Sequence, residues 1–278
     1  MGARGSAWEL AGAAGDAAGV SLVPLTEFED ARHVSDVVAQ LWGEDELSPS
    51  LVRAFQFAGT GLYGANADGT LVGFVLGFVG LHEGIHLHSH MLGVVPEWQS
   101  RGIGYALKLA QRAACLDSGI EEIRWTYDPL VARNAWFNLV KLGAVATDLL
   151  VGFYGEMTDR INRGDRSDRF EVRWPLRSKR VERALSGQAE PPAPGPVVLE
   201  AEGDPEDPKP GEASPRTGAV VAIPLDHFAL RLRDPDRGRA WREASASAFR
   251  SCFDAGLVAS WIDRSGRYTF IPSEEALQ

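Results

Sequence analysis

A hydrophobic run, IHLHSHMLGVV at 85–95, leads through a turn of the form Gln-x-x-Gly-x-Gly, set by Gln99, Gly102 and Gly104, into an amphipathic segment that continues to Gly119. This order demands a strand that turns sharply into a helix. Glycines in the turn let successive backbone N–H groups converge on an anion where side chains would otherwise stand. The helix start adds its positive end. Ile103, Ala106, Leu107, Ala110, Ala113 and Ala114 recur on one side of that helix and supply the stripe that packs it on a sheet. Arg101 sits where a guanidinium can neutralise anionic oxygens, and Lys108, one turn further on, reads as a surface lysine. The plain alternative is a strand-to-helix turn in which Gly102 only starts the helix. No Lys-Ser or Lys-Thr follows the glycines, against a mononucleotide P-loop, and the hairpin-rich stretch before them fits a dinucleotide fingerprint poorly.

The surrounding pattern predicts the rest of a sheet. SLVPL at 21–25 reads as a strand, and Thr26 as the cap of a helix in which Phe28, Ala31, Val34, Val37, Val38 and Leu41 recur at helical spacing. A second helix is expected over 49–57. Strands follow at GLYGANA and TLVGFVLGFVG, joined by a hairpin turn at Asn66 to Gly69. After the glycine turn and its helix come EEIRWTYD as a strand, RNAWFNLVKLGA as a short helix, and AVATDLLVGFYG and RFEVRWP as strands. The fold class implied is α/β, a mixed sheet covered by helices.

Four segments are expected: residues 1–19, rich in Gly and Ala without a continuous apolar run, as a mobile tail; 20–175 as the main domain; 176–216 as a basic helix followed by an acidic, Pro- and Gly-rich linker; and 217–278 as a small α/β extension. Trp241, Phe249, Phe253, Trp261 and Phe270 make that extension too apolar to stand in water, so it is expected to pack on the main domain or on a second subunit, and a homodimer is compatible. Lys and Arg number 28 against 38 Asp and Glu, a net charge of −10, which argues against broad binding to nucleic acid or anionic lipid and leaves cationic substrates open. Cys115 and Cys252 are the only cysteines and read as reduced thiols. With no long uncharged apolar stretch to suggest a membrane span, the expected compartment is the cytoplasm.

Residues 21–175 taken together, with Gln99, Gly102 and Gly104 between a hydrophobic strand and a helix, resemble the GNAT superfamily of acyl-CoA-dependent N-acyltransferases. The resemblance implies a GNAT-like fold, acetyl-CoA or another short acyl-CoA as cosubstrate, and no metal. It implies that Gln99, Ser100, Arg101, Gly102, Ile103, Gly104 and Tyr105 wrap the CoA pyrophosphate. Backbone groups of Leu92, Gly93, Val94 and Val95 would pair with the pantetheine arm as an added strand. The family often carries an Asn that touches CoA and a Tyr that protonates the leaving thiolate; here Ala132 and Leu139 stand at those places. Asn134 or Asn138 can replace the former, Asn134 equally serving as a cap of its helix, and Tyr127 or Tyr154 can replace the latter or be core aromatics.

His86, His88 and His90 are spaced by two and so expected on one face of a strand. Counting back from Gly102, His88 falls where some members of the superfamily carry a carboxylate base, and an imidazole there can accept an ammonium proton directly or through water. Polar histidines in a substrate cleft are the other reading. Two neighbours at i, i+2 can share an ion, but the three span roughly 13 Å at ~3.3 Å per residue, too far for all to ligate one, and with no acid nearby at ligand spacing no metal is expected. Glu83, Glu122 and Asp128 are second choices as base, Asp128 also as a turn former before Pro129. The reaction implied is direct acyl transfer to a small-molecule or peptide amine, with a catalytically silent CoA-binding module and an interaction protein as the other readings.

Overall fold

The computed structural model describes residues 3–43, 47–59, 61–157, 164–202, 207–212 and 214–276. It forms two compact units, 1–124 and 125–278.

The first unit contains α1 (Ala3–Ala18), β1 (Ser21–Pro24), α2 (Phe28–Leu41), α3 (Pro49–Phe57), β2 (Tyr63–Ala67), β3 (Thr70–Gly80), β4 (His86–Val94), a 3-10 turn (Pro96–Trp98), α4 (Ile103–Asp117) and the start of β5 (Glu122–Tyr127). β1 to β4 form an antiparallel meander, and β4 pairs in parallel with β5 through Leu87–Ile123 and His88–Arg124. Alternation along β3, shifted by one residue at Val72, divides its side chains between two cores. Phe74 and Leu76 pack with Ala31, Val34 and Val38 of α2 and Val52 of α3, whereas Val72 and Val75 pack with Ile103 and Leu107 of α4.

Helix α1 replaces the mobile tail expected for 1–19, of which residues 1–2 lie outside the described ones. Ala7, Ala11 and Ala18 are buried, and the Trp8 indole donates to Asp117 at the end of α4 at 2.7 Å. Small residues let this helix approach closely without the large apolar stripe that would reveal it in sequence. Thr26 does not cap α2; it bonds the Glu27 carboxylate, and the Glu27 N–H is taken by Asp30 at 2.8 Å. The β2–β3 turn is as expected, with Asn66 Oδ1 accepting the Gly69 N–H at 2.8 Å.

The second unit continues from β5 with α5 (Ala132–Ala135), a π-helical stretch (Trp136–Lys141), β6 (Val145–Leu150), β7 (Arg169–Pro175), α6 (Lys179–Leu185), β8 (Val197–Glu202), β9 (Asp207–Pro210), β10 (Ala219–Ala222), α7 (His227–Arg233), α8 (Pro235–Asp254), β11 (Leu257–Ile262), β12 (Arg267–Pro272) and α9 (Ser273–Ala276). The strands run in the order β7-β6-β11-β12-β10-β8-β9. Phe170 of β7 meets Phe249 and Phe253 of α8 and Tyr268 of β12 at ring-centroid distances of 4.7, 5.3 and 5.6 Å. The aromatic residues of 217–278 thus share one core with β7, and no boundary falls at Pro175.

The stretch read as a linker contains β8 and β9; its residues 203–206 and 213 lie outside the described ones. β8 pairs in parallel with β10 and antiparallel with β9. Only Leu199 of β8 is buried. Such a strand is held by its backbone ladder rather than by apolar side chains, so composition alone reads as unstructured. Among the described residues no helix is long and apolar enough to cross a membrane.

Candidate functional site

The glycine turn forms as its sequence demands. Ser100 has φ +63° and Gly102 φ +92°, left-handed values that only glycine adopts without cost, and α4 starts at the next residue. Gln99 turns its side chain back, its amide donating to the Val94 carbonyl at 3.0 Å. Arg101 lies across Trp98, with its guanidinium carbon 4.5 Å from the ring centroid, and donates to the Glu97 carbonyl at 3.2 Å. Gly104 brings the first helical turn against Leu92, whose side chain a methyl group would meet at 3.3 Å.

Among the described residues, the N–H groups of Ser100, Arg101, Gly102, Ile103 and Gly104 have no acceptor within the chain, and no side chain caps α4. Gln99 to Gly102 are exposed. Five consecutive donors at the positive end of a 15-residue helix suit a bound anion such as a pyrophosphate. Ser100 to Gly104 are therefore the residues that would hold it, with Gln99 shaping the loop. Tyr105, half-buried in the first turn of α4, has its phenol pKa raised by that burial.

The three histidines do not share one environment. Gly77 pairs with Ser89 and Leu76 with Met91, so His90 is an extra residue, a bulge that interrupts the period of two. His86 is buried across Gly80, and its Nδ1 donates to the Gly84 carbonyl at 3.0 Å. His88 and His90 lie side by side, 6.2 Å between ring centroids, and both contact Phe78, at 5.2 and 5.7 Å. Phe55 of α3 stacks on Phe78 at 5.7 Å with planes 9° apart. Burial, with the fields of His90, His86 and Lys108, pushes the His88 pKa down to about 4. His90 is the more open, yet the desolvated part of its ring lowers its pKa as well. His88 is neutral at pH 7, with a lone pair able to accept a proton.

Lys108 is not on the surface. It is 4% exposed, and its ammonium donates to Ser89 Oγ at 2.7 Å, joining the second turn of α4 to β4 beside the bulge. Burial lowers its pKa to about 7. The helix approaches this closely because Gly77 stands opposite; a Cβ there would lie 2.9 Å from the Gln111 amide. In the sequence a lone lysine gives no sign of burial. The bases ranked second are otherwise engaged: Glu83 and Glu122 both pair with Arg124, the former at 3.7 Å.

In the second unit Tyr127 is a core residue. Its hydroxyl lies 3.3 Å from that of Tyr268, which donates to the Pro129 carbonyl at 2.7 Å, and burial raises its pKa. This geometry removes Tyr127 as an acid for a leaving thiolate. Tyr154, in the turn after β6, is 44% exposed, with its hydroxyl 3.3 Å from Thr126 Oγ1 and the Arg169 guanidinium over its ring. Asn134 is exposed and is not a cap, because Val131 occupies the N-cap of α5. Leu139 is buried. Asp128 accepts from the Leu130 N–H at 2.9 Å and pairs with both terminal nitrogens of Arg242 at 2.8 and 2.9 Å, so it shapes its turn and holds an ion pair.

Residues 28–137 match the family model described as the acetyltransferase (GNAT) family. Among solved structures the chain is similar to Arabidopsis thaliana Naa50 in complex with the bisubstrate analogue CoA-Ac-MVNAL, at 20% identity over 56% of this chain and 97% of that one, with a TM-score of 0.46. It is similar to the ribosomal-protein-S18-alanine N-acetyltransferase from Escherichia coli, at 16% identity over 56% and 94%, with a TM-score of 0.47. Chaetomium thermophilum Naa20 in complex with a bisubstrate analogue aligns at 16% identity over 60% and 90%, with a TM-score of 0.47. No curated protein matches the chain.

Proposed function

We propose, because residues 28–137 match the acetyltransferase (GNAT) family model, that the protein is an acyl-CoA-dependent N-acyltransferase that passes an acetyl or other short acyl group to a primary amine by direct attack. The observation that carries the reading is the run of five N–H groups without acceptors from Ser100 to Gly104 at the start of α4. Acyl-CoA supplies an activated thioester carbonyl, whose C–S bond breaks as the C–N bond to the acceptor forms.

The chain's own groups divide the remaining work. Ser100 to Gly104 bind the pyrophosphate, and the backbone of Leu92 to Val95 orients the pantetheine arm. His88, neutral above its pKa of about 4, accepts the proton that the amine loses, directly or through water. So low a pKa makes it a relay that soon gives the proton to solvent. Tyr154 carries the open phenol among the two tyrosines considered, and it or solvent returns a proton to the thiolate. Direct attack also agrees with the state of the thiols. Cys115 and Cys252 are buried, and burial pushes each up to about 12, so neither offers a thiolate for an acyl-enzyme.

The test is CoA binding and turnover by the wild type and by Gly102→Val. Strain at φ +92° costs about 1–2 kcal/mol of stability, and a displaced N–H run weakens CoA by at least ~tenfold. His88→Ala lowers kcat by about 10²-fold or more with the true acceptor. Unchanged CoA affinity in Gly102→Val sinks the cradle, and unchanged kcat in His88→Ala sinks the base. A second reading, a CoA-binding module without catalysis, is favoured by Leu139 at the place of the family's tyrosine. CoA binding without turnover of any amine would select it.

A further inference from the structure

The surroundings of His88 contradict what the charge of the whole chain suggests about its acceptor. A net charge of −10 attracts polycations at long range. At short range the ionisable groups acting on His88 are His90, His86 and Lys108, each neutral or cationic. Among the described residues neither His88 nor His90 has a carboxylate partner, and Glu83 and Glu122, at the ends of the neighbouring elements, are committed to Arg124. A second ammonium brought here would lose hydration without gaining a counter-charge from the described residues.

What the same face offers is apolar. Phe78 lies against both imidazoles, and Phe55 stacks on Phe78. Beyond them the end of the β3–β4 hairpin exposes Val79, Leu81 and Ile85, the last two at 76% and 71%. Such exposed apolar residues need no explanation singly; the aromatic surface beside the proposed base is that of Phe78 and Phe55.

We infer that the acyl acceptor is a primary amine borne next to an aromatic or branched apolar group, which lies on Phe78 and Phe55 while its nitrogen faces His88, and that polyamines are poor acceptors. This rests on the N-acyltransferase reading with His88 as the proton acceptor. A free arylalkylamine and a peptide with an apolar first residue present the same chemistry.

The full chain is assayed with acetyl-CoA and three acceptors: 2-phenylethylamine, a phenylalanine-initiated tripeptide amide and 1,4-diaminobutane. The expected result is a kcat/KM for one of the aromatic acceptors at least ~tenfold above that for the diamine. Phe78→Ala brings this ratio toward one, and Phe78→Leu, which keeps the strand packed, retains part of it. The first two arms distinguish a small amine from a peptide. A diamine used equally well or better overturns the inference, as does a ratio unchanged in both Phe78 variants. CoA that raises the melting temperature while none of the three amines is acetylated overturns the acceptor class alone. CoA that produces no such rise removes the underlying reading as well.

Discussion

Two buried cations, one in each unit, are held in opposite ways. Arg242, 3% exposed on α8, lies between Asp128, which it meets through two bonds of 2.8 and 2.9 Å, and Asp165, which also accepts from His227 at 3.0 Å. Burial works against its charge, but the two carboxylates prevail and raise its pKa. Lys108, 4% exposed on α4, has the hydroxyl of Ser89 as its hydrogen-bond acceptor at 2.7 Å, and burial brings its pKa down to about 7. Arg242 is a permanent charge that fixes structure. Lys108 changes charge near neutral pH, one turn from the candidate anion cradle and bonded to Ser89, the residue after His88. Saturated polar groups mark the scaffold, and the open N–H groups at 100–104 mark the place where a ligand is expected.

The largest effect that tests this contrast is loss of Arg242. Arg242→Met leaves Asp128 and Asp165 facing each other's field without their shared cation and is expected to cost about 3–5 kcal/mol, read from the urea midpoint at pH 7. Arg242→Lys restores little, because one ammonium cannot reproduce the two-pronged contact with Asp128. A loss below about 1 kcal/mol would place Arg242 with ordinary surface pairs and end the contrast.

Lys108→Met has the opposite sign. The folded pKa of about 7 lies below the ordinary lysine value of 10.5, so between those limits the unfolded chain binds a proton that the folded one does not. Wild-type stability therefore contains a component that rises with pH from 7 to 10.5, at no more than ~1.4 kcal/mol per pH unit. Removing the amine removes that component, so the variant gains stability relative to wild type near pH 7 and the gain shrinks toward pH 10. Urea midpoints for both proteins at pH 7, 8 and 9 decide it. Parallel pH dependences would show that Lys108 is charged throughout and compensated like Arg242.

Sequence made the strand-turn-helix at 85–119 legible because three signals coincide there: an apolar run, glycines where φ must be positive, and an amphipathic period. The β2–β3 hairpin was legible for the same kind of reason, through Asn66 and Gly69. Helix α1 and strand β8 were not, since a helix that buries only small residues and a strand held by its backbone ladder leave little trace in hydrophobic pattern. At the candidate site the glycine turn and the start of α4 were readable to the residue, but the environment of each histidine was not. One inserted residue, His90, interrupts the period of two yet stays beside His88, and the histidine set apart is His86, buried across Gly80. The burial of Lys108 depends on Gly77 on another strand, and the saturation of Tyr127 depends on Tyr268, 141 positions away. Such relations belong to tertiary packing.

The smallest effect is also the most specific to the site. Lys108 contributes to the low pKa of His88, after burial, His90 and His86. Because His88 titrates near 4, well below the value of about 7 for Lys108, the lysine carries its full charge throughout the range where the imidazole takes up its proton. In Lys108→Met the His88 pKa is expected to rise part of the way back toward 6.5, with burial and the neighbouring histidines still holding it below. The sign carries over to stability. A folded pKa below the unfolded one means that stability is lost as pH falls from 6.5 through 4, so a smaller depression in the variant gives a shallower loss over that window. Titrating the His88 ring by NMR in both proteins measures the pKa directly, and urea midpoints at pH 6 and 5 measure its consequence. An unmoved His88 in a folded variant would mean that the Lys108 charge is screened from β4, leaving the lysine only a packing role between α4 and the sheet.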